Sequence, residues 1–200
     1  MARNDDRRQL LADAGLNLLA GEGARGLTHR GVDRVAGVPL GTTSNYFRTR
    51  EALISALVVR IGERLTPSTE DLAARSGRPA DRELFADYLR DIVRRLMQNP
   101  EVALALIELR LESSRRPEIA ALLADWRRRA FAADVDFNTN AGLPGGPEEI
   151  ALFHYAIDGL ILDHLTTPLL PESSTDEAID ALVTGLLPPS RELCLEEGNE

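Results

Sequence analysis

Apolar residues recur along this chain with the 3.6-residue period of helices, and no stretch alternates with the two-residue period of a strand. In residues 6–20, Leu10, Leu11, Ala14, Leu18 and Leu19 form one helical stripe, which Gly21-Glu22-Gly23 is expected to end. Thr28 is the expected N-cap of a helix over about 29–36, with Val32, Val35 and Ala36 facing inward. Gly37 supplies a turn, Val38 plugs the corner, and Pro39 suits the first turn of a short helix over about 39–46. Thr49 caps the next helix, with Glu51 in its first turn and an inward stripe of Leu53, Ile54, Leu57, Val58, Ile61 and Leu65.

Residues 66–80 carry Pro67, Ser68, Gly77 and Pro79 and mark a domain boundary. Helices are expected at about 80–98, broken by Asn99-Pro100, then at 101–114 and 117–136. Residues 138–147, with three Gly and two Pro, form a loop. Pro147 opens a helix to about Leu165, the capping box of Ser174 and Glu177 starts the last one, and Pro188-Pro189 stops or kinks it. The expected fold is all-α with about nine helices. It divides into a head over 1–48, a linking helix over 49–65 and a helical body over 66–200.

Composition narrows the function. The chain has 44% hydrophobic residues, enough for a core, and no apolar run near the ~20 residues a membrane span requires. Its N-terminus lacks the uninterrupted apolar stretch of a secretory signal. One cysteine, Cys194, permits no internal disulfide and fits a cytoplasmic protein. Net charge is −9, which by itself argues against nucleic acid. The distribution reverses that: residues 1–64 hold ten Arg against seven acids, the rest 13 Arg against 25 acids, and lysine is absent. Phosphate binding needs local positive charge, so the head can meet DNA while the acidic body points away. The basic residues Arg3, Arg7 and Arg8 either reach a phosphate or stay frayed and solvated, and the second is favoured.

Two short helices joined at Gly37-Val38 and followed at once by a third have the form of a helix-turn-helix. Over residues 7–60, Thr28, Val32, Ala36-Gly37-Val38, Gly41-Thr42, Tyr46-Phe47, Arg50-Glu51 and Leu53 keep an order and spacing that resembles the TetR family of bacterial transcriptional repressors. The remainder resembles that family in architecture. The chain departs from the pattern at Ser44, where tyrosine is common, at Thr43, where an apolar residue is common, at Arg50, often lysine, and at Gly31 and Asp33 inside the second helix. Gly31 is expected to weaken that helix by roughly 1 kcal/mol.

The resemblance implies a DNA-binding head and a ligand-binding, dimerising body that leaves a palindromic operator when a small molecule enters. By match to the family motif, Leu40, Gly41, Thr42 and Ser44 lie on the exposed side of the recognition helix. Thr and Ser hydroxyls bond to either base type, and Leu40 can touch a thymine methyl. Asn45 pairs with adenine if it points outward. Tyr46 and Arg50 match phosphate-contacting positions, with Thr28 and Arg30 helping from the preceding helix.

In the body, Glu108 lies inside the apolar run 102–109, where it either meets a cationic or hydroxylated effector or pairs with an arginine. Phe85, Tyr88 and Trp126 are further candidates for lining a largely apolar effector pocket, against the commoner role of core packing. His154 and Asp158, four apart on one helical face, are candidate ligand contacts. Without a third ligand they do not make a metal site, and no metal or other cofactor is expected. The helix at 147–165 is apolar nearly all round, so one side should face a partner subunit. Ala156, Gly159 and Asp163, with Ile179, Leu182, Val183 and Leu186 of the last helix, are the expected homodimer seam. No catalytic motif is visible, so an enzyme is not expected. The expected partners are therefore an operator duplex, a small-molecule effector and a second copy of the chain, with no membrane. The alternatives are a helical protein-interaction module and a DNA-binding activator or ligand-blind regulator.

Overall fold

The computed structural model describes residues 2–187, with side chains from Asn4 onward. The Arg3 side chain, Pro188-Pro189 and Cys194 lie outside the described residues.

Within these residues the fold is all-α and has ten helices. They are α1 (Ala2–Gly26), α2 (His29–Val35), α3 (Thr42–Tyr46), α4 (Arg50–Leu65), α5 (Thr69–Ala73), α6 (Arg82–Gln98), α7 (Pro100–Ser113), α8 (Pro117–Asn140), α9 (Pro147–Leu165) and α10 (Thr175–Leu186). The helix beyond the expected nine is α5. Ser68 accepts from the Asp71 amide and Asp71 reaches back to Ser68, so a capping box orders one turn in a stretch whose composition suggests only a linker. In α1 the helical backbone breaks at Gly23, as Gly21-Glu22-Gly23 implies: Gly23 has φ 68° and ψ −175°, which glycine adopts readily, and a further short helical segment follows to Gly26. No described helix is long and apolar enough to cross a membrane.

The apolar side chains gather in two clusters. The first joins Leu11, Leu16 and Leu19 of α1 and Val32 of α2 to Leu53, Leu57 and Ile61 of α4. It also takes in Val102 and Leu109 of α7 and Ile119 and Leu123 of α8, so the interior of the head continues into the body. Each such wholly buried aliphatic side chain contributes about 1.5–3 kcal/mol. The edge of this cluster is bolted by charge: Asp13 accepts from Arg60 Nε at 2.8 Å and Nη2 at 2.9 Å, and Arg64 bridges α4 to Glu101 of α7 at 2.8 Å. The second cluster packs Leu84, Phe85, Leu89 and Val93 of α6 against Phe153, Ile157 and Ile161 of α9 and Ile179 and Val183 of α10.

Two expected inward residues are exposed. Leu10 is 42% exposed and Val35 is 44% exposed, because the packed faces of α1 and α2 are narrower than their apolar stripes.

Candidate nucleic-acid interface

The head is built from local signals. Thr28 Oγ1 accepts from the Gly31 amide at 3.0 Å, capping α2 as its position implies. At the other end Val38 N–H donates to Asp33 O at 3.0 Å and Gly37 N–H to Arg34 O at 3.3 Å, with Gly37 at φ 64°. This is a Schellman ending, and it turns the chain sharply toward α3. Thr49 Oγ1 caps α4 through the Ala52 amide at 3.1 Å.

Gly31 has a packing role that outweighs its low helix propensity. A Cβ there would lie 2.7 Å from Leu18 Cδ2, 3.0 Å from Thr28 Oγ1 and 3.2 Å from the Gly26 carbonyl oxygen. The bare backbone lets α2 sit close on α1.

The expected recognition helix, α3, is shorter than the sequence implies. Gly41 has φ 92°, outside helical space, so α3 starts at Thr42. Pro39, Leu40 and Gly41 form the turn before it, with Pro39 O accepting from the Thr42 amide at 3.1 Å. Leu40 is 73% exposed at the tip of this turn. Ser44 and Asn45 are exposed, whereas Thr43 between Thr42 and Ser44 is wholly buried. The hydroxyls on the outer side are already committed as donors: Thr42 Oγ1 to Pro39 O at 2.6 Å and Ser44 Oγ to Gly41 O at 2.9 Å. Their lone pairs therefore face outward as acceptors.

The far end of α3 is tied to the start of α2, where His29 Nε2 donates to Phe47 O at 2.6 Å. Phe47 is 1% exposed. Arg8 of α1 stacks its guanidinium over the Phe47 ring, 5.0 Å from the centroid; this segment is helical, and the Arg7 and Arg8 side chains are exposed.

Arg50 departs from its expected role. Its guanidinium lies inward, donating from Nη2 to Ala24 O at 2.6 Å and from Nη1 to Leu27 O, and its Nε is buried. The exposed arginines at the head surface without an ion pair among the described residues are Arg7, Arg8, Arg25, Arg30 and Arg48. Arg7, Arg8 and Arg30 stand out in the sequence; Arg48, beside Phe47, carries no distinguishing local signal.

With this geometry in view, comparison with known proteins decides the family. The model described as "Tetracyclin repressor-like, C-terminal domain" matches residues 80–189, more than half of the chain. The chain belongs to the TetR family of transcriptional regulators.

Among solved TetR-like structures, multidrug binding protein EbrR with imidazole is 28% identical, covering 91% of this chain and 95% of that one at a TM-score of 0.62. EbrR with ethidium superposes at 0.63. A TetR-family member from Streptomyces coelicolor A3, SCO1917, is 26% identical, covering 91% and 98% at a TM-score of 0.67. The HTH-type transcriptional regulator PksA of Bacillus subtilis (strain 168) is 27% identical over 81 residues, a match spanning 40% of this chain and 40% of PksA.

The six residues expected at a TetR-type effector pocket do not converge on one cavity. Phe85 is buried in the second cluster against Phe153, ring centroids 4.9 Å apart. Tyr88 meets the edge of Phe137 at 5.1 Å and lies under the Arg75 guanidinium. Trp126 packs on the first cluster, its indole filling the space that Gly62 leaves on α4. His154 lies 3.1 Å from Asp134 and against the Phe131 ring. Asp158 bridges Arg110 at 2.7 Å and Arg127 at 3.5 Å, so it does not pair with His154. Glu108 is half-buried and has no arginine partner among the described residues. Its carboxylate lies close against Gly23, 3.5 Å from where a Cβ would stand, and both line a cleft of about 900 Å³ between the α1 kink and the α7–α8 joint.

The expected dimer seam also divides. Ile179 and Val183 point into the chain's own core, at 0% and 5% exposure, and Leu182 and Leu186 pack at its margin. Asp163 accepts from the Leu169 amide at 3.3 Å. The outward face of α9 is instead Leu152, Tyr155, Gly159 and Leu162, with Ala156 half-buried beside them.

Proposed function

We propose that this protein is a homodimeric repressor that reads a palindromic operator with α3 and the turn before it, and leaves that operator when a small molecule binds the body. The observation that carries the reading is the outward set of Leu40, on the turn before α3, and Thr42 and Ser44 on α3, with Thr43 between those two buried. With their protons engaged, the Thr42 and Ser44 hydroxyls accept from the exocyclic amino groups of adenine or cytosine, and Leu40 meets a thymine methyl. Asn45 and the backbone at Gly41 approach the same groove. Thr28, Arg30 and Tyr46 contribute to the phosphate track.

Dimerisation is proposed through the exposed apolar face of α9, Leu152, Tyr155, Gly159 and Leu162, beside α10. Two-fold pairing sets two recognition helices ~34–36 Å apart, one turn of DNA. EbrR holds ethidium in a fold alike over nearly its whole length, which supports a small-molecule effector here.

The deciding experiment is selection of bound duplexes from a random pool, repeated with candidate small molecules. An inverted-repeat consensus is expected. Recovery of no preferred sequence at modest ionic strength would overturn the proposal.

A further inference from the structure

At five residues, α3 is too short to hold together on its own in water. Its N-cap, Gly41, offers no side chain to satisfy the amides of the first turn. The acceptor comes from a different helix. Asp33, in the middle of α2, is wholly buried. Its Oδ2 accepts from the Gly41 amide at 2.7 Å. Its Oδ1 accepts from the Thr43 amide at 2.7 Å and the Thr43 hydroxyl at 2.6 Å.

A buried carboxylate is costly unless its oxygens are well supplied with donors. Here three donors converge on it, and none belongs to an arginine. Burial, the largest influence, pushes its pKa up, yet the Thr43 and Gly41 hydrogen bonds and the nearby His29 hold it below the ordinary value. Asp33 and Thr43 are also two of the places where the sequence departs from the family pattern. In space the two departures are one contact. Thr43 fixes the rotation of α3 about its own axis, so Thr42 and Ser44 on either side of it face outward.

We propose that Asp33 is a positioning residue for DNA reading. It clamps the first turn of α3 through Gly41 and Thr43 and so sets the direction in which Leu40, Thr42 and Ser44 face the bases. The assignment rests on the DNA-reading role proposed above. Asp33 touches no base; it acts through the backbone that carries the residues that do.

The test compares Asp33→Ala and Thr43→Val with the natural chain. Affinity is measured for the selected operator and for a random-sequence duplex across a salt series. Amide hydrogen exchange is followed at Gly41 and Thr43 in the absence of DNA. For Asp33→Ala the ratio of operator to random-duplex affinity is expected to fall at least tenfold with an unchanged salt slope, because the phosphate contacts remain. The Gly41 and Thr43 amides are expected to exchange at least tenfold faster, while the Leu53 amide in α4 does not. A retained affinity ratio, or amides that keep their protection, would overturn the proposal.

If Asp33→Ala fails to fold, Thr43→Val decides. It keeps the shape and removes one of the three bonds, so a severalfold loss of the ratio is expected and no loss sinks the clamp. If the natural chain selects no operator, the reading role falls, and the exchange data separately judge whether Asp33 orders α3.

Discussion

Arg50, the first residue of α4, donates from Nη2 to the carbonyl oxygen of Ala24 in the last turn of α1, 2.6 Å away and 26 residues earlier in the chain. Helix-end carbonyls lack an intrahelical partner, and here one arginine serves both Ala24 and Leu27. Arg50→Ala is therefore expected to destabilise the protein by about 1–3 kcal/mol, the range for losing charge-assisted hydrogen bonds. It should leave the salt slope of DNA binding unchanged. Arg30→Ala is the contrast: its exposed side chain should leave stability alone and lower the slope by about one. Denaturant midpoints and binding isotherms at several salt concentrations separate the two.

Gly31→Ala tests propensity against packing. In an isolated helix the change adds about 1 kcal/mol of stability. In this fold the new methyl meets the Leu18 side chain at 2.7 Å and the Gly26 carbonyl at 3.2 Å, and only the first can move easily. Net destabilisation of about 1–3 kcal/mol is expected, as for overpacking elsewhere. A higher melting temperature for the variant would show that α1 and α2 separate at little cost.

Leu162→Asp places a charge at the C-terminal end of the exposed α9 face, where Leu162 is 45% and Tyr155 66% accessible. A side chain that open makes few intramolecular contacts, so the monomer should remain folded. If this face is the seam, sedimentation equilibrium should show the variant monomeric at concentrations where the natural chain is a dimer, with operator affinity falling as half-sites uncouple. Ile179→Asp should instead unfold the chain, because Ile179 is fully buried.

Acid should loosen the head through Asp33. Burial pushes its pKa up, but the Thr43 and Gly41 donors outweigh this and hold it below the ordinary aspartate value of 3.8. The stability it contributes is thus fully present above pH 3.8 and is lost as pH falls through the lowered value. Asp33→Asn removes this contribution. The variant's denaturant midpoint should be lower than the natural chain's at pH 7, and the gap should shrink in strong acid.

Sequence carries the local parts of this fold well. Thr28 and Thr49 announce their helices because a cap acts on an amide only three residues away. The Gly37-Val38 corner is equally local. Contacts that span the chain are not readable in this way. Asp33 inside α2 looks like a poor helix residue until Gly41 and Thr43 are brought to it, and Arg50 looks like a phosphate contact until the α1 carbonyls arrive. In α9, residues apolar on every side give no phase, so Leu152 and Tyr155 could not be sorted from Phe153 and Ile157. For α10, a clear apolar stripe does not say whether it meets another subunit or the chain's own interior, and Ile179 and Val183 fill the latter. The short α5 was hidden by the proline and glycine around it.

The apolar cluster beneath the head has an outcome for anyone wishing to isolate the reading unit. Val102, Ala105 and Leu109, with Ile119 and Leu123, close the interior that α1, α2 and α4 begin. Cutting the chain after Leu65 would leave Leu11, Leu16, Leu57 and Ile61 with water on one flank. The smallest autonomous fragment must therefore extend through α7 and α8 of the body.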